Sequence, residues 1–274
     1  MGFAELIAWL LLFSQPNVID LARHYEAEYR RVAAAKGQRS AEAAKAADDL
    51  GRFLLREGQA AAAVDWFSRA LAAEANEERQ ELLAEALRGA RRTECIAVYE
   101  ALAAKALDPA RVARAYTALA DLAQTPAVAI AFLRKALEKE ASVARWNDLG
   151  LALRSSGKNA EAIAAFRRAL PPGKQSADPE AATTRNNLAS ALLEAGKLIE
   201  AESEQRLAWR VLQDALGPGH VRTGLALSNL ADIVKARGRE QEARRMYQEA
   251  YETFRTKLGD DHAWTREAAA AAKP

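Results

Sequence analysis

Residues 146–172 read WNDLGLALRSSGKNAEAIAAFRRALPP. Leu149 and Leu153 recur at helical spacing and share one face of a first helix. Gly157 suits a turn, because glycine takes a left-handed helix end without a Cβ penalty. A second helix follows, with small Ala162 and Ala169 where helices cross and Phe166 filling the gap between them. Gly150, on the first helix, lets that second helix approach closely. A helix–turn–helix unit this short cannot bury its apolar face alone, so copies should stack beside it.

The alanine at 162 finds counterparts at Ala63, Ala97, Ala129, Ala201 and Ala243, with spacings of 34, 32, 33, 39 and 42 residues. Ala169 finds them at Ala70, Ala104, Ala136, Ala208 and Ala250, with the same spacings. Six units follow. W-x2-L-G-x2-L, then Gly, then A-x3-F-x2-A resembles the tetratricopeptide repeat, a helix–turn–helix unit of about 34 residues. Leu50-Gly51, Leu54, Gly58, Ala63, Phe67 and Ala70 carry the same pattern in repeat one. Repeat two has a looser first helix, Leu83-Ala84-x2-Leu87, and repeat three opens on Asp108-Pro109, an N-cap followed by Pro in the first turn. Thr125-Pro126 starts the second helix of repeat three early. The expected fold is all-α, a right-handed superhelix of six repeats with helical caps.

The array changes character after Asp178-Pro179. NNLASALLEAGKLIEAE (186–202) and SNLADIVKARGREQEAR (228–244) lie 42 residues apart, and L-G-x-x-H follows each second helix at 216–220 and 258–262. Residues 180–264 resemble the kinesin-light-chain type of repeat, although Val221 and Ala263 stand where that type usually has Pro. The chain thus divides into N-terminal capping segments (1–38), repeats one to four (39–176), repeats five and six (177–260) and a C-terminal capping helix (261–274).

Composition narrows the function. Lys and Arg number 39 against 37 Asp and Glu, a formal charge of +2, which gives no electrostatic case for nucleic acid. Half the residues are hydrophobic and 28% charged, as in ordinary folded proteins. Cys95 is the only cysteine and there is no N-x-S/T sequon, which fits a reducing, cytoplasmic setting. The apolar run FAELIAWLLLF (3–13) is too short to span a bilayer, and no basic residue precedes it as in a secretory signal. It reads as a helix packed on the first repeat, with signal or membrane anchor as the alternative. Val18, Leu21, Tyr25, Tyr29 and Val32 then mark an amphipathic capping helix over 17–35.

Motifs for chemistry are weak. Gly150 to Lys158 has six residues between its glycines where a phosphate loop has four, and Asn159 stands where Ser or Thr would bind magnesium. Ser155-x-x-Lys158 falls in the turn. His220 and His262 lie at equivalent repeat positions without a third ligand, so each reads as a helix cap that packs between repeats. Cys95 reads as structural. No catalytic residue, metal or cofactor is expected, and no nucleic-acid or small-molecule partner.

A surface remains. The resemblance implies that the first helices line a concave peptide groove, with Arg52, Arg56, Asn147, Arg154, Asn187, Ser190, Asn229, Asp232 and Lys235 facing it. Asn187 and Asn229 are the sharpest candidates, since an amide offers donor and acceptor to an extended peptide backbone. Their alternative role is to bond the neighbouring repeat. The chaperone-tail carboxylate clamp of such repeats is not matched: Asn147, Leu151, Asn187, Asp232 and Ala236 occupy its positions in repeats four to six, and only the middle Asn agrees. The expected function is a non-catalytic scaffold binding a peptide or partner protein. The alternatives are an exported or membrane-associated assembly factor, or a regulatory subunit of a separate effector enzyme.

Overall fold

The computed structural model describes residues 18–171 and 178–273. The apolar run 3–13 and residues 172–177 lie outside the described residues. Among those described, fourteen α-helices account for all regular structure. The chain forms two compact units, 1–122 and 123–274.

In the first unit α1 (Val18–Lys36) packs on α2 (Ala41–Arg56), which pairs with α3 (Ala60–Ala73). Next come α4 (Glu77–Gly89), α5 (Glu94–Lys105) and α6 (Pro109–Asp121). The second unit holds α7 (Pro126–Lys139) and then three pairs: α8 (Val143–Ser155) with α9 (Asn159–Ala169), α10 (Pro179–Glu194) with α11 (Leu198–Leu216), and α12 (Val221–Ala236) with α13 (Glu240–Leu258). Helix α14 (Ala263–Ala271) closes it. Within each unit every helix packs on the one before and the one after, and first helices of adjacent repeats also touch (α2 with α4, α8 with α10, α10 with α12). That is the packing of an α-solenoid, in which each repeat leans only on its neighbours.

The caps are written into the sequence. Ser40, Asn76, Asp108, Thr125, Ser142 and Asp178 each accept a backbone N–H of the first helical turn. Between first and second helices, Gly157 sits at φ +72° and Gly58 at φ +74°, in the left-handed region. A Cβ at Gly150 would lie 2.5 Å from the Phe166 ring, and one at Gly51 would lie 2.7 Å from Phe67. Both rings are wholly buried. The close approach expected for Gly150 is therefore real, and it occurs twice.

Repeat two corrects the alanine ladder. Ala97 and Ala104 are exposed, whereas Cys95, Tyr99 and Leu102 are buried at i, i+4 and i+7. The second helix is set by its large apolar side chains, and in an alanine-rich chain two alanines fell on the wrong face by chance. The turn before it also differs: Arg91 holds φ +57° where repeats one, four, five and six place Gly.

Two pairs of details repeat. Glu74-Ala-Asn-Glu-Glu-Arg79 and Glu140-Ala-Ser-Val-Ala-Arg145 place a buried arginine five residues after the glutamate that ends the preceding helix. Arg79 Nη1 donates to the Glu74 carbonyl (2.7 Å) and carboxylate (2.8 Å), and Arg145 Nη1 does the same with Glu140 (2.9 and 2.7 Å). Each arginine pins the link between repeats by satisfying a helix-end carbonyl. At the long-period end, Thr223 and Thr265 hydroxyls donate to the Gly217 and Gly259 carbonyls at 2.9 and 2.8 Å.

Candidate functional site

The first helices of the second unit, α8, α10 and α12, bring together most of the residues expected to bind. Asn187 Nδ2 donates to Asn147 Oδ1 at 3.1 Å, and Asn229 Nδ2 donates to Asn186 Oδ1 at 2.8 Å. Asparagine thus forms a ladder from one first helix to the next. Each rung spends one donor and one acceptor. What remains on the first rung is Asn187 Oδ1 beside Asn147 Nδ2, and on the second Asn229 Oδ1 beside Asn186 Nδ2, all without partners among the described residues. A free acceptor and a free donor side by side match the N–H and C=O of an extended chain.

The register of this ladder comes from behind. Gln205, wholly buried on α11, donates Nε2 to Asn186 Oδ1 and to the Ala226 carbonyl, both at 2.8 Å. Tyr247, buried on α13, donates its phenol to Asp232. Both occupy the place that Phe67 and Phe166 hold in repeats one and four, four residues after the buried alanine. In repeats five and six a core side chain with a polar tip therefore reaches through to the first-helix face. Burial first, then the Asp232 carboxylate, pushes the Tyr247 phenol well above its ordinary pKa, so it stays a donor.

The other expected residues are placed variously. Ser190 bonds back to the Asn186 carbonyl at 3.1 Å and Arg154 faces Glu194 at 3.7 Å. Lys235 is exposed without an ion-pair partner among the described residues. Arg52 and Arg56 lie on α2 of the first unit, where Arg52 is paired with Glu78 and Arg56 is exposed. Sequence reasoning passed over Asn186 and Gln205. The doubled Asn186-Asn187 beside a glutamine where repeats one and four carry phenylalanine is the signal that could have found them.

On the second-helix side sits a buried carboxylate. Glu202 receives Arg206 (2.8 Å), Arg239 (2.6 Å) and Arg237. Burial alone would raise its pKa, but hydrogen bonds from Arg239, Arg206 and Arg237 outweigh it and hold the group at about 2. This joins repeats five and six without using the candidate face.

The histidines and the cysteine have structural roles. His220 Nδ1 accepts the Arg222 N–H at 3.1 Å and His262 Nδ1 accepts that of Trp264 at 3.3 Å, so both histidines are N-caps. Cys95 is buried, and desolvation pushes its thiol up. Among the described residues no group of three or more His, Cys, Asp or Glu could hold a metal ion, and no helix is long and apolar enough to cross a membrane.

Family models described as tetratricopeptide repeat match residues 143–170 and 180–256. No curated protein matches the sequence. Among solved structures, the C-terminal part of a TPR repeat-containing protein from Cytophaga hutchinsonii is similar with a TM-score of 0.65 at 13% identity, over 94% of this chain and 98% of that one. PilW, a type IV pilus biogenesis factor, is similar with a TM-score of 0.62 at 18% identity, over 82% and 98%. A chain of the APC/C hetero-tetramer Cut9–Hcn1 gives 0.57 at 14% identity over 92% of this chain, which spans 46% of that one's length. At these identities the likeness is one of fold. The repeated caps, the ring-against-glycine packing and the matched family models agree: the chain carries tetratricopeptide repeats over residues 143–170 and 180–256.

Proposed function

We propose that the chain is a non-catalytic protein–protein interaction scaffold, and that the first-helix face of its second unit binds an extended peptide segment of a partner. The observation that carries this is the pair of asparagine rungs, each with one amide oxygen and one amide N–H to spare. Such a pair reads backbone rather than side chains, so it holds a strand-like segment with little demand on sequence. Ser190, Arg154 and Lys235 border the rungs and add polar contacts. Asn187 and Asn229 then serve two ends at once, repeat stacking and ligand binding. Export, membrane association and regulation of a separate effector enzyme remain settings in which the same scaffold would work.

The test is co-purification from the native cell, comparing wild type with Asn187→Ala/Asn229→Ala and with Arg167→Ala on the opposite helices. Circular dichroism must show all three folded. A partner present with wild type and Arg167→Ala but lost with the double variant supports the reading. A partner kept equally by all three moves binding off this face.

A further inference from the structure

A cavity of about 260 Å³ opens at the C-terminal end of the second unit. Its walls come from Asn229 and Asp232 on α12, Tyr247 on α13, and Trp264 and Glu267 on α14. Its chemistry is one-sided. The Tyr247 hydroxyl is spent on Asp232, which orients that carboxylate and leaves its second oxygen open. Asn229 gives one of its two amide N–H groups to Asn186 and keeps Oδ1 as an acceptor. Glu267 is exposed, with no ion-pair partner among the described residues. Two carboxylates and an amide oxygen thus share a cavity that no Lys, Arg or His lines. Trp264 is 38% exposed and adds an aromatic ring. A cavity of about 450 Å³ beside Trp146 contrasts with it, since there Arg134 and Arg168 balance Glu138 and Glu161.

Surplus acceptors, surplus negative charge and an aromatic ring suit one class of guest, an ammonium or guanidinium group. Asn229 and Asp232 belong both to the cavity and to the proposed peptide face, so a segment lying on that face passes its mouth. We propose that the cavity receives the side chain of a lysine or arginine carried by the bound peptide. This rests on the peptide-binding reading above and assigns the ligand one chemical feature.

A phage-displayed library of random peptides selected against the full chain tests it, with Asp232→Asn/Glu267→Gln as the variant. Asn at 232 still accepts the Tyr247 hydroxyl, and Glu267→Gln alone, at an exposed site, guards against a folding artefact. Wild type is expected to enrich peptides with Lys or Arg at one fixed position, and the variant to enrich peptides without that preference. The wild-type consensus peptide should bind the double variant about tenfold more weakly or worse at low salt, and Glu267→Gln alone by a smaller factor. Spermidine at equal concentration should not displace it. A wild-type consensus without a basic position, or equal affinity for the variants, would overturn the proposal and leave peptide binding intact. Displacement by spermidine would make the cavity a polyamine site instead. Failure of every form to enrich any peptide would remove both readings.

Discussion

The two units join their repeats by different chemistry. In the first, neighbouring first helices are linked by charge: Arg52 pairs with Glu78, Glu81 with Arg111 (2.9 Å) and Arg114 (2.5 Å), and Arg88 with Asp121 (3.2 Å). In the second, ion pairs also cross between first helices (Arg154 with Glu194 at 3.7 Å, Arg222 with Glu180 at 3.2 Å), but the same face adds the asparagine rungs, and the ion cluster around Glu202 joins the second helix of repeat five to the turn of repeat six. The difference traces to one core position. Phe67 and Tyr99 fill it in the first unit without reaching a first-helix polar group through a hydrogen bond, whereas Gln205 and Tyr247 do so in the second. A face whose charges are mutually satisfied has little left for a partner. A face of half-spent amides has donors and acceptors still to give.

The sharpest break between the units should come with acid. Glu202 has a folded pKa of about 2 against an ordinary value of 4.5. A depressed folded pKa means that the stabilisation is full above about pH 4.5 and drains away as pH falls through 2. The contribution is about 2–3 kcal/mol, because the guanidiniums around it are about a third exposed and water screens part of the attraction. Glu202→Gln should therefore lower the stability of the second unit at pH 7 and close the gap to wild type by pH 2. Hydrogen exchange across α11 and α13 reads this locally. A gap that stays constant with pH would mean the carboxylate is not held by its arginines.

A smaller effect separates the two faces directly. Asn186→Ala removes the acceptor of both Asn229 and buried Gln205, and should cost about 1–2 kcal/mol whatever the salt. Glu78→Gln in the first unit, which breaks the solvent-exposed pair with Arg52, should cost about 0.5 kcal/mol at low ionic strength and close to nothing in 1 M NaCl, where exposed charges are screened over about 3 Å. Urea unfolding of both variants at the two salt concentrations makes the comparison. Equal salt dependence would erase the distinction between charged and amide faces.

The sequence showed the fold more readily than the site, for a physical reason. Leu149, Gly150, Phe166 and Ala169 interact within one hairpin at fixed offsets, so their pattern survives as a string. The ladder misplaced Ala97 and Ala104 because alanine is both the helix-packing residue and the commonest surface filler here, and only the volume of Tyr99 and Leu102 decides the buried face. At the candidate site Asn187 and Asn229 were visible as residue types, but their partners are 40 and 43 residues away. Contacts between repeats depend on stacking register, which no single repeat encodes. Glu202 sat inside a quoted motif without its meaning, since two of its three arginines, Arg237 and Arg239, come from the next repeat's turn. The cavity beneath Trp264 needed α14 to be seated on α12, which the reading of a plain cap did not foresee.

The smallest prediction concerns the turn where the first unit departs from the second. Arg91 holds φ +57°, while Gly157, Gly196 and Gly238 hold φ +72°, +72° and +81° at the matching turns. A left-handed conformation costs a residue with a Cβ about 1–2 kcal/mol, and replacing it by glycine returns that cost. Glycine in turn loosens the unfolded chain, which offsets about 0.5–1 kcal/mol. The Arg91 side chain is exposed and makes no ion pair among the described residues, so nothing else is lost. Arg91→Gly should therefore stabilise the first unit by about 0.5–1 kcal/mol, and Gly157→Ala should destabilise the second by about 1 kcal/mol. Thermal unfolding of the two variants gives both signs. If Arg91→Gly destabilises instead, the turn of repeat two is held by its arginine rather than strained by it.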